Sequence, residues 1–121
     1  GGEFLGYSQD DLRGYGFALE CRINAEDPDN NFEACPGTIE KFIPPEGDNI
    51  IVDTFIPTIE SKKDGYRIST AYDSLLANVI VWGKDKKSAI SRMEEVLQSF
   101  VIEGKGIKTT VPFHLENIKK L

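Results

Sequence analysis

Histidine and cysteine are scarce in this chain of 121 residues, which has one histidine, His114, and two cysteines, Cys21 and Cys35. These three side chains cannot supply the four ligands of a structural zinc site. Carboxylates are numerous, but none of their spacings is typical of a metal site, so we expect no metal centre. A disulfide between the two cysteines stays open at this point, although two reduced thiols in a cytoplasmic protein are favoured.

Long apolar runs and an excess of positive charge are also missing. Because no stretch of about 18 apolar residues occurs, the sequence predicts no membrane span. Residues 1–7 have neither the basic nor the apolar region of a signal peptide. The net charge of −6 argues against a nucleic-acid partner, since phosphate binding needs clustered lysines and arginines. The length and the 40% hydrophobic content fit one soluble domain with a modest core.

The sequence shows neither a catalytic triad nor a phosphate-binding loop. Ser74 follows Tyr72 and Asp73, but His114 lies far along the chain in a predicted helix, and this does not build a triad. The glycines of Gly104-Lys-Gly106 lack the following lysine and the strand–helix setting of a phosphate loop.

The most regular stretch is residues 17–27, which alternate with the two-residue period of a strand. One face is apolar and consists of Phe17, Leu19, Cys21, Ile23 and Ala25. The other face carries Arg22 between Glu20 and Asn24. Side chains at i and i+2 lie roughly 6.6 Å apart, so these three can converge on one small anion that matches the fork of guanidinium donors. An ordinary outward-facing strand with a surface ion pair fits the same pattern, and spacing alone does not decide between them.

The remaining patterns predict short strands followed by two helices. Strands are expected at residues 38–43, 50–56 and 75–82, the last interrupted by Asn78, and Asp64-Gly65 is a hairpin signal. The stretch 50–56 is apolar on both faces, so we expect both to be covered. Residues 8–11 have the features of a weak helix start with Ser8 as its cap, and residues 1–16 are interpreted as a connector.

The helices are predicted in the C-terminal third. One runs over residues 86–101 with Asp85 as its N-cap and is ended by Gly104-Lys-Gly106, and the other begins near residues 109–112. We therefore predict an α+β fold, in which an antiparallel sheet of short strands carries two C-terminal helices on one face.

The run Glu20-Cys-Arg-Ile-Asn-Ala-Glu-Asp-Pro28 resembles the hallmark of the C-terminal domain of biotin carboxylases. Further matches occur on both sides of this run, in the order of the family. Gly16 and Ala18 precede it, and the later matches are Pro36-Gly37, Ile39, Tyr72-Asp-Ser74, Val81-Trp-Gly83, Arg92-Met93 and Ile107-Lys-Thr-Thr110. An ordered set of this length is far more specific than one motif. It implies that residues 1–13 are a connector from an upstream ATP-grasp region, and that residues 14–121 are the domain itself, truncated at its C-terminus.

The resemblance also implies a function. The parent would be an ATP-dependent ligase of the acetyl-CoA, propionyl-CoA or pyruvate carboxylase type, which uses MgATP and bicarbonate to carboxylate biotin on a carrier domain, next to a carboxyltransferase. In an acetyl-CoA carboxylase this step belongs to fatty acid biosynthesis. MgATP would be held mainly by the upstream region, so the domain is expected to be inactive alone. Arg22 is the implied catalytic residue, which meets biotin and bicarbonate, and we expect Glu20 and Asn24 to position it.

Tyr72 and Asp73 match positions near the homodimer interface of the family. Departures from the family pattern occur at Phe17, at residues 69–71, at Asn78, where a lysine is common, and at the apparent insertion Lys105-Gly106. The departures at residues 69–71 and at Asn78 motivate an alternative, a non-catalytic interaction or dimerisation module that retains the fold. An intact upstream ATP-grasp segment would favour the enzyme, and the acyl acceptor is not decided by this domain.

Overall fold

The computed structural model describes residues 3–4, 7–11, 16–35, 37–60, 65–68 and 74–121, with the backbone alone at residues 3–4, 7–11 and 68. These residues form ten strands and two α-helices. The strands are β1 (Glu3–Phe4), β2 (Tyr7–Asp11), β3 (Phe17–Asn24), β4 (Glu26–Asp27), β5 (Glu33–Ala34), β6 (Gly37–Ile43), β7 (Ile50–Asp53), β8 (Tyr66–Ile68), β9 (Leu75–Gly83) and β10 (Val101–Lys105). The helices are α1 (Lys86–Ser99) and α2 (Val111–Asn117), and 3-10 turns lie at Pro28–Asn30 and Ile118–Lys120.

Strand β3 lies at the centre of a five-stranded antiparallel sheet with the order β1-β2-β3-β9-β7. Its alternation is as predicted, because Leu19, Cys21 and Ile23 are completely buried whereas Arg22 is exposed. The buried face packs under α1, where Met93 and Leu97 lie in the same apolar core. Helix α1 covers the apolar face of β3 and leaves its polar face free of the helix, which is the pattern expected for a strand with one buried and one polar face.

The pairing of β3 with β9 runs from Phe17 opposite Gly83 to Asn24 opposite Leu75. The register shifts between Ile23 and Asn24, so that β9 has one extra residue there, Leu76. Such a bulge bends the strand and changes the direction of the side chains next to it. The irregularity lies one residue beyond Arg22.

Helix α1 begins as predicted and ends earlier than predicted. The Asp85 carboxylate accepts a hydrogen bond from the Ser88 amide at 2.8 Å, which confirms Asp85 as the N-cap. The helix ends at Ser99 and not at residue 101, because Val101 starts β10, which pairs with β6 in a second sheet of order β10-β6-β8. The predicted break at Gly104 is therefore part of a strand.

Two local predictions were wrong. Residues 8–11 do not start a helix but lie in β2, which pairs with β3 from Tyr7 opposite Cys21 to Asp11 opposite Phe17. The ladder of backbone hydrogen bonds to a buried strand outweighs a local cap signal. Strand β7 is shorter than predicted and its outer face is not covered within the described residues, since Ile51 is 49% exposed and Phe55 is 97% exposed.

The predicted α+β class is confirmed, with antiparallel sheets and two helices in the C-terminal part. The hairpin signal at Asp64-Gly65 falls partly outside the described residues. No helix of the described chain has both the length and the apolar character needed to cross a membrane.

Gly104 of β10 lies close to the backbone of β6, and a substitution at Gly104 tests how much this close packing contributes to stability. A Cβ atom added at Gly104 would clash with the carbonyl oxygen of Thr38, which is a backbone atom and cannot move aside as a flexible side chain can. We expect Gly104→Ala to lower the free energy of unfolding by about 1–3 kcal/mol, as overpacking does. Urea unfolding measures this. Gly47→Ala is the matched control, because within the described residues its added Cβ would meet only the Ile50 Cδ1 atom, at 3.3 Å. Equal losses in the two variants would contradict the prediction.

Candidate active site

Arg22 lies on the outer face of the five-stranded sheet, opposite Asn78 of β9. Asn78 in turn lies opposite Asp53 of β7. The three residues form a polar row across neighbouring strands, which are spaced by about 4.8 Å. The sequence did not predict this row, because it joins three segments that are distant along the chain.

Arg22 also lines a concave pocket of about 340 Å³ between the end of β3 and α2. Its described lining consists of Arg22, Asn24, Glu26, Phe32, Thr110, Phe113 and His114. The structure therefore brings Arg22 and Asn24 to one site. Glu20 is not among these residues and lies further along β3, opposite Ile80. Tyr72 and Asp73 lie outside the described residues.

Helix α2 holds the backbone of β3 below this pocket. The ring Nε2 atom of His114 is 2.7 Å from the carbonyl oxygen of Arg22. A carbonyl oxygen can only accept, so the imidazole carries a proton on Nε2 and donates it. The Asn24 amide donates to the Thr110 hydroxyl at 3.0 Å, and the Thr110 amide donates to the Asn24 carbonyl oxygen at 3.0 Å. Thr110 and His114 are 4% and 2% exposed, so these bonds are shielded from water.

The charges at the pocket are few. Arg22 is the one cationic side chain in its described lining, and Glu26 is the one carboxylate. Glu26 accepts a hydrogen bond from the Ser74 hydroxyl at 2.7 Å. Burial lowers the pKa of His114, and the bond to the Arg22 carbonyl opposes this shift only in part. The imidazole is thus neutral near pH 7, and Arg22 provides the positive charge that an anionic ligand would meet.

Phe32 forms one wall of the pocket in an unusual backbone conformation. Its φ angle is +58°, in the left-handed region that a bulky residue rarely adopts. The Phe32 amide donates to the Asp27 carbonyl oxygen at 2.9 Å, and the ring packs edge-on against Phe113 with centroids 5.0 Å apart. These contacts maintain a strained residue beside the site.

The two cysteines take no part in the site. Cys21 and Cys35 are free thiols, as favoured by the sequence. Burial raises the pKa of the Cys21 thiol, which is the opposite of an activated nucleophile. The Cys35 thiol donates to the Gly106 carbonyl oxygen at 2.8 Å. Among the described residues, no group of three or more His, Cys, Asp or Glu side chains is placed to hold a metal ion.

The buried neutral imidazole predicts a pH dependence of stability. The pKa of His114 is lower in the folded chain than its usual 6.5, so the unfolded chain binds more protons below that pH. Stability is therefore fully present above about pH 6.5 and falls as the pH decreases, by at most about 1.4 kcal/mol for each pH unit. Urea unfolding between about pH 7.5 and 5.5 measures the slope.

His114→Gln is the comparison for this slope, since a carboxamide can donate to the same carbonyl oxygen but does not titrate. We expect a flatter dependence in this variant. Arg22 and Glu26 are present in both proteins, so their contributions cancel in the difference. The same slope in the two proteins would contradict the role given to His114.

The sequence profile of the family described as biotin carboxylase C-terminal domain matches residues 20–120. Biotin carboxylase 1 of Bacillus subtilis is 46% identical over 112 residues, which are 93% of this chain and 23% of that protein. The small subunit of 2-oxoglutarate carboxylase of Hydrogenobacter thermophilus is 44% identical over 119 residues, or 98% of this chain and 23% of that protein. The chain thus spans about a quarter of the length of the curated relatives it matches.

Solved structures agree with this assignment. The biotin carboxylase domain dimer of the Hydrogenobacter thermophilus 2-oxoglutarate carboxylase, in complex with MgADP, ADP and bicarbonate, superposes with a TM-score of 0.76 at 42% identity. The match covers 98% of this chain and 24% of that one. The fold, the ordered motifs and the sequence match lead to one conclusion: this chain belongs to the biotin carboxylase C-terminal domain family.

Proposed function

We propose that this chain is the C-terminal domain of a biotin carboxylase and that it supplies Arg22 to the site where biotin is carboxylated. The observation that carries the proposal is the position of Arg22. It is exposed at the end of β3, it is the one cation in the described pocket lining, and it lies inside the family-matched segment. The bicarbonate bound in the 2-oxoglutarate carboxylase domain of Hydrogenobacter thermophilus supports an anionic substrate for this family.

The chemistry needs a fixed cation of this kind. The ureido nitrogen of biotin becomes nucleophilic when a base removes its proton, and the negative charge of the resulting anion is shared with the ureido oxygen before the nitrogen attacks carbon dioxide. A preorganised guanidinium next to that oxygen stabilises the charge most in the transition state. The same planar fork of donors suits the two oxygens of bicarbonate. Asn24 lines the pocket beside Arg22, and its side-chain amide can bind the same ligands. Glu20, on the same face of β3, is proposed as a positioning residue for Arg22.

MgATP is the cofactor that the family implies, and the described residues do not fit it. They contain no cluster suited to a metal ion, and the sequence has no glycine-rich phosphate loop. We therefore derive no step through MgATP on this chain. In this proposal the nucleotide and magnesium are bound mainly by an upstream ATP-grasp region, to which residues 1–13 connect.

The parent would act with other domains. Biotin would arrive on a carrier domain and leave carboxylated for a carboxyltransferase, which selects the acyl acceptor. A homodimer is proposed, with Tyr72 and Asp73 near its interface. The two free thiols support a reducing compartment, the cytoplasm.

The second candidate is an interaction or dimerisation module without chemistry. It is favoured by the exposed apolar groups Ile51 and Phe55, which lie in and beside the edge strand β7. The replacement of a common lysine by Asn78, directly opposite Arg22, favours it as well. The two candidates differ in what the loss of Arg22 does to activity.

In the carboxylase that contains this chain, we expect Arg22→Ala to lower biotin carboxylation by about 10²-fold or more, since it removes a charge used in the transition state. The KM for ATP should not change. Steady-state carboxylation of free biotin measures both. Arg67→Ala is the matched control, because Arg67 is also an exposed strand arginine but belongs to the other sheet. Near-normal carboxylation by Arg22→Ala would refute the catalytic role and favour the module.

The isolated chain is expected to be inactive. Residues 1–121 alone should hydrolyse no ATP with bicarbonate present, because the groups that would hold MgATP lie elsewhere. A coupled assay for released ADP tests this. Bicarbonate-dependent turnover by the isolated chain would overturn the proposed division of labour between the domains.

A further inference from the structure

The end of β3 that carries Arg22 is fixed by side chains and not by strand pairing alone. The ladder between β3 and β9 shifts register between Ile23 and Asn24, one residue beyond Arg22. At this point three hydrogen bonds from α2 and its N-cap residue reach the backbone of Arg22 and Asn24. The described pairing of β3 with β2 ends at Cys21, opposite Tyr7, and these bonds give partners to the backbone groups of β3 beyond that point, since buried backbone groups must find partners.

The side chain of Thr110 bonds to β3 and does not cap its own helix, α2. A threonine at an N-cap usually accepts a hydrogen bond from the first turn of its own helix. The Thr110 side chain makes no such bond and instead accepts from the Asn24 amide at 3.0 Å. The helix N-terminus is thus bonded to the end of β3, which lies opposite the bulge in β9.

His114 lies one turn further along α2 and contacts the backbone of Arg22. Its ring donates to the Arg22 carbonyl oxygen at 2.7 Å, and the ring lines the same pocket as the Arg22 side chain. Rotation of the Arg22 peptide would change the direction of the Cα–Cβ bond and so the position of the guanidinium. Active-site groups tolerate only about 0.5 Å or 10–20° of such displacement.

We propose that His114 and Thr110 are positioning residues for Arg22, which set the direction of its side chain through the β3 backbone. This inference rests on the proposed function of Arg22. A buried residue with a purely structural role would also lower activity when replaced, by lowering the amount of folded protein. The test therefore needs a measurement that depends on Arg22 itself.

The experiment compares His114→Leu, His114→Gln and Thr110→Val in the carboxylase that contains this chain. We expect His114→Leu to lower kcat for biotin carboxylation about 10- to 100-fold, the effect of misplacing a reacting group by about 1 Å. The KM for ATP should stay unchanged. His114→Gln should recover kcat to within about threefold of the parent, because the carboxamide can donate to the same oxygen. Thr110→Val keeps the shape of the side chain and should lower kcat in the same direction.

The same variants are then made with Arg22→Lys. A lysine has a flexible stem and no planar fork, so its action depends less on the backbone direction. In this background we expect His114→Leu to lower kcat by less than about threefold. The effects of the two substitutions are then not additive, as is usual for residues that act together. Asn117→Ala is the matched control, since it removes a 2.7 Å bond from the Asn117 side chain to the Phe113 carbonyl oxygen within α2. It should leave kcat unchanged.

The outcomes separate the two proposals. Normal kcat in both His114→Leu and Thr110→Val, or equal losses in the Arg22 and Arg22→Lys backgrounds, would overturn the positioning role while leaving the function of Arg22 intact. A loss of the same size in Asn117→Ala would also overturn it. If His114→Leu does not fold, Thr110→Val decides by the same criteria. An active Arg22→Ala enzyme would instead refute the proposed function, and the positioning role with it.

Discussion

The antiparallel pairing of β3 with β9 is the contact on which the rest of the structure depends. The two strands are separated by residues 25–74, so closing this loop costs conformational entropy before any contact is gained. Burial offsets the cost, because Leu19, Cys21, Val79 and Val81 are fully shielded in the core beneath α1. The same pairing brings Arg22 opposite Asn78 and turns the outer face of the sheet into a site.

The end of the described pairing between β2 and β3 explains the role of α2. Beyond Cys21, which lies opposite Tyr7, the backbone of Arg22 and Asn24 is held by His114 and Thr110. A short helix thereby becomes part of the support of a strand. Because both side chains are buried, their bonds do not compete with water, and the end of β3 is held in one orientation.

The electrostatics of the pocket follow from the same packing. Burial keeps His114 neutral, so it donates a hydrogen bond without adding a second positive charge beside Arg22. One cation at the mouth of a partly enclosed pocket suits a single small anion.

Sequence alone determined the strand at residues 17–24, its buried and polar faces, the N-cap Asp85 and the family, because these depend on local periodicity, capping and ordered motifs. The sequence therefore placed Arg22 and Asn24 on one strand face, but it did not identify Thr110, His114 and Phe32 as their neighbours. Only the tertiary structure decided that residues 8–11 are a strand, that Val101 starts another, and which segments surround Arg22. Pairing between distant segments is set by the burial and hydrogen bonds of the whole fold, which no local pattern contains.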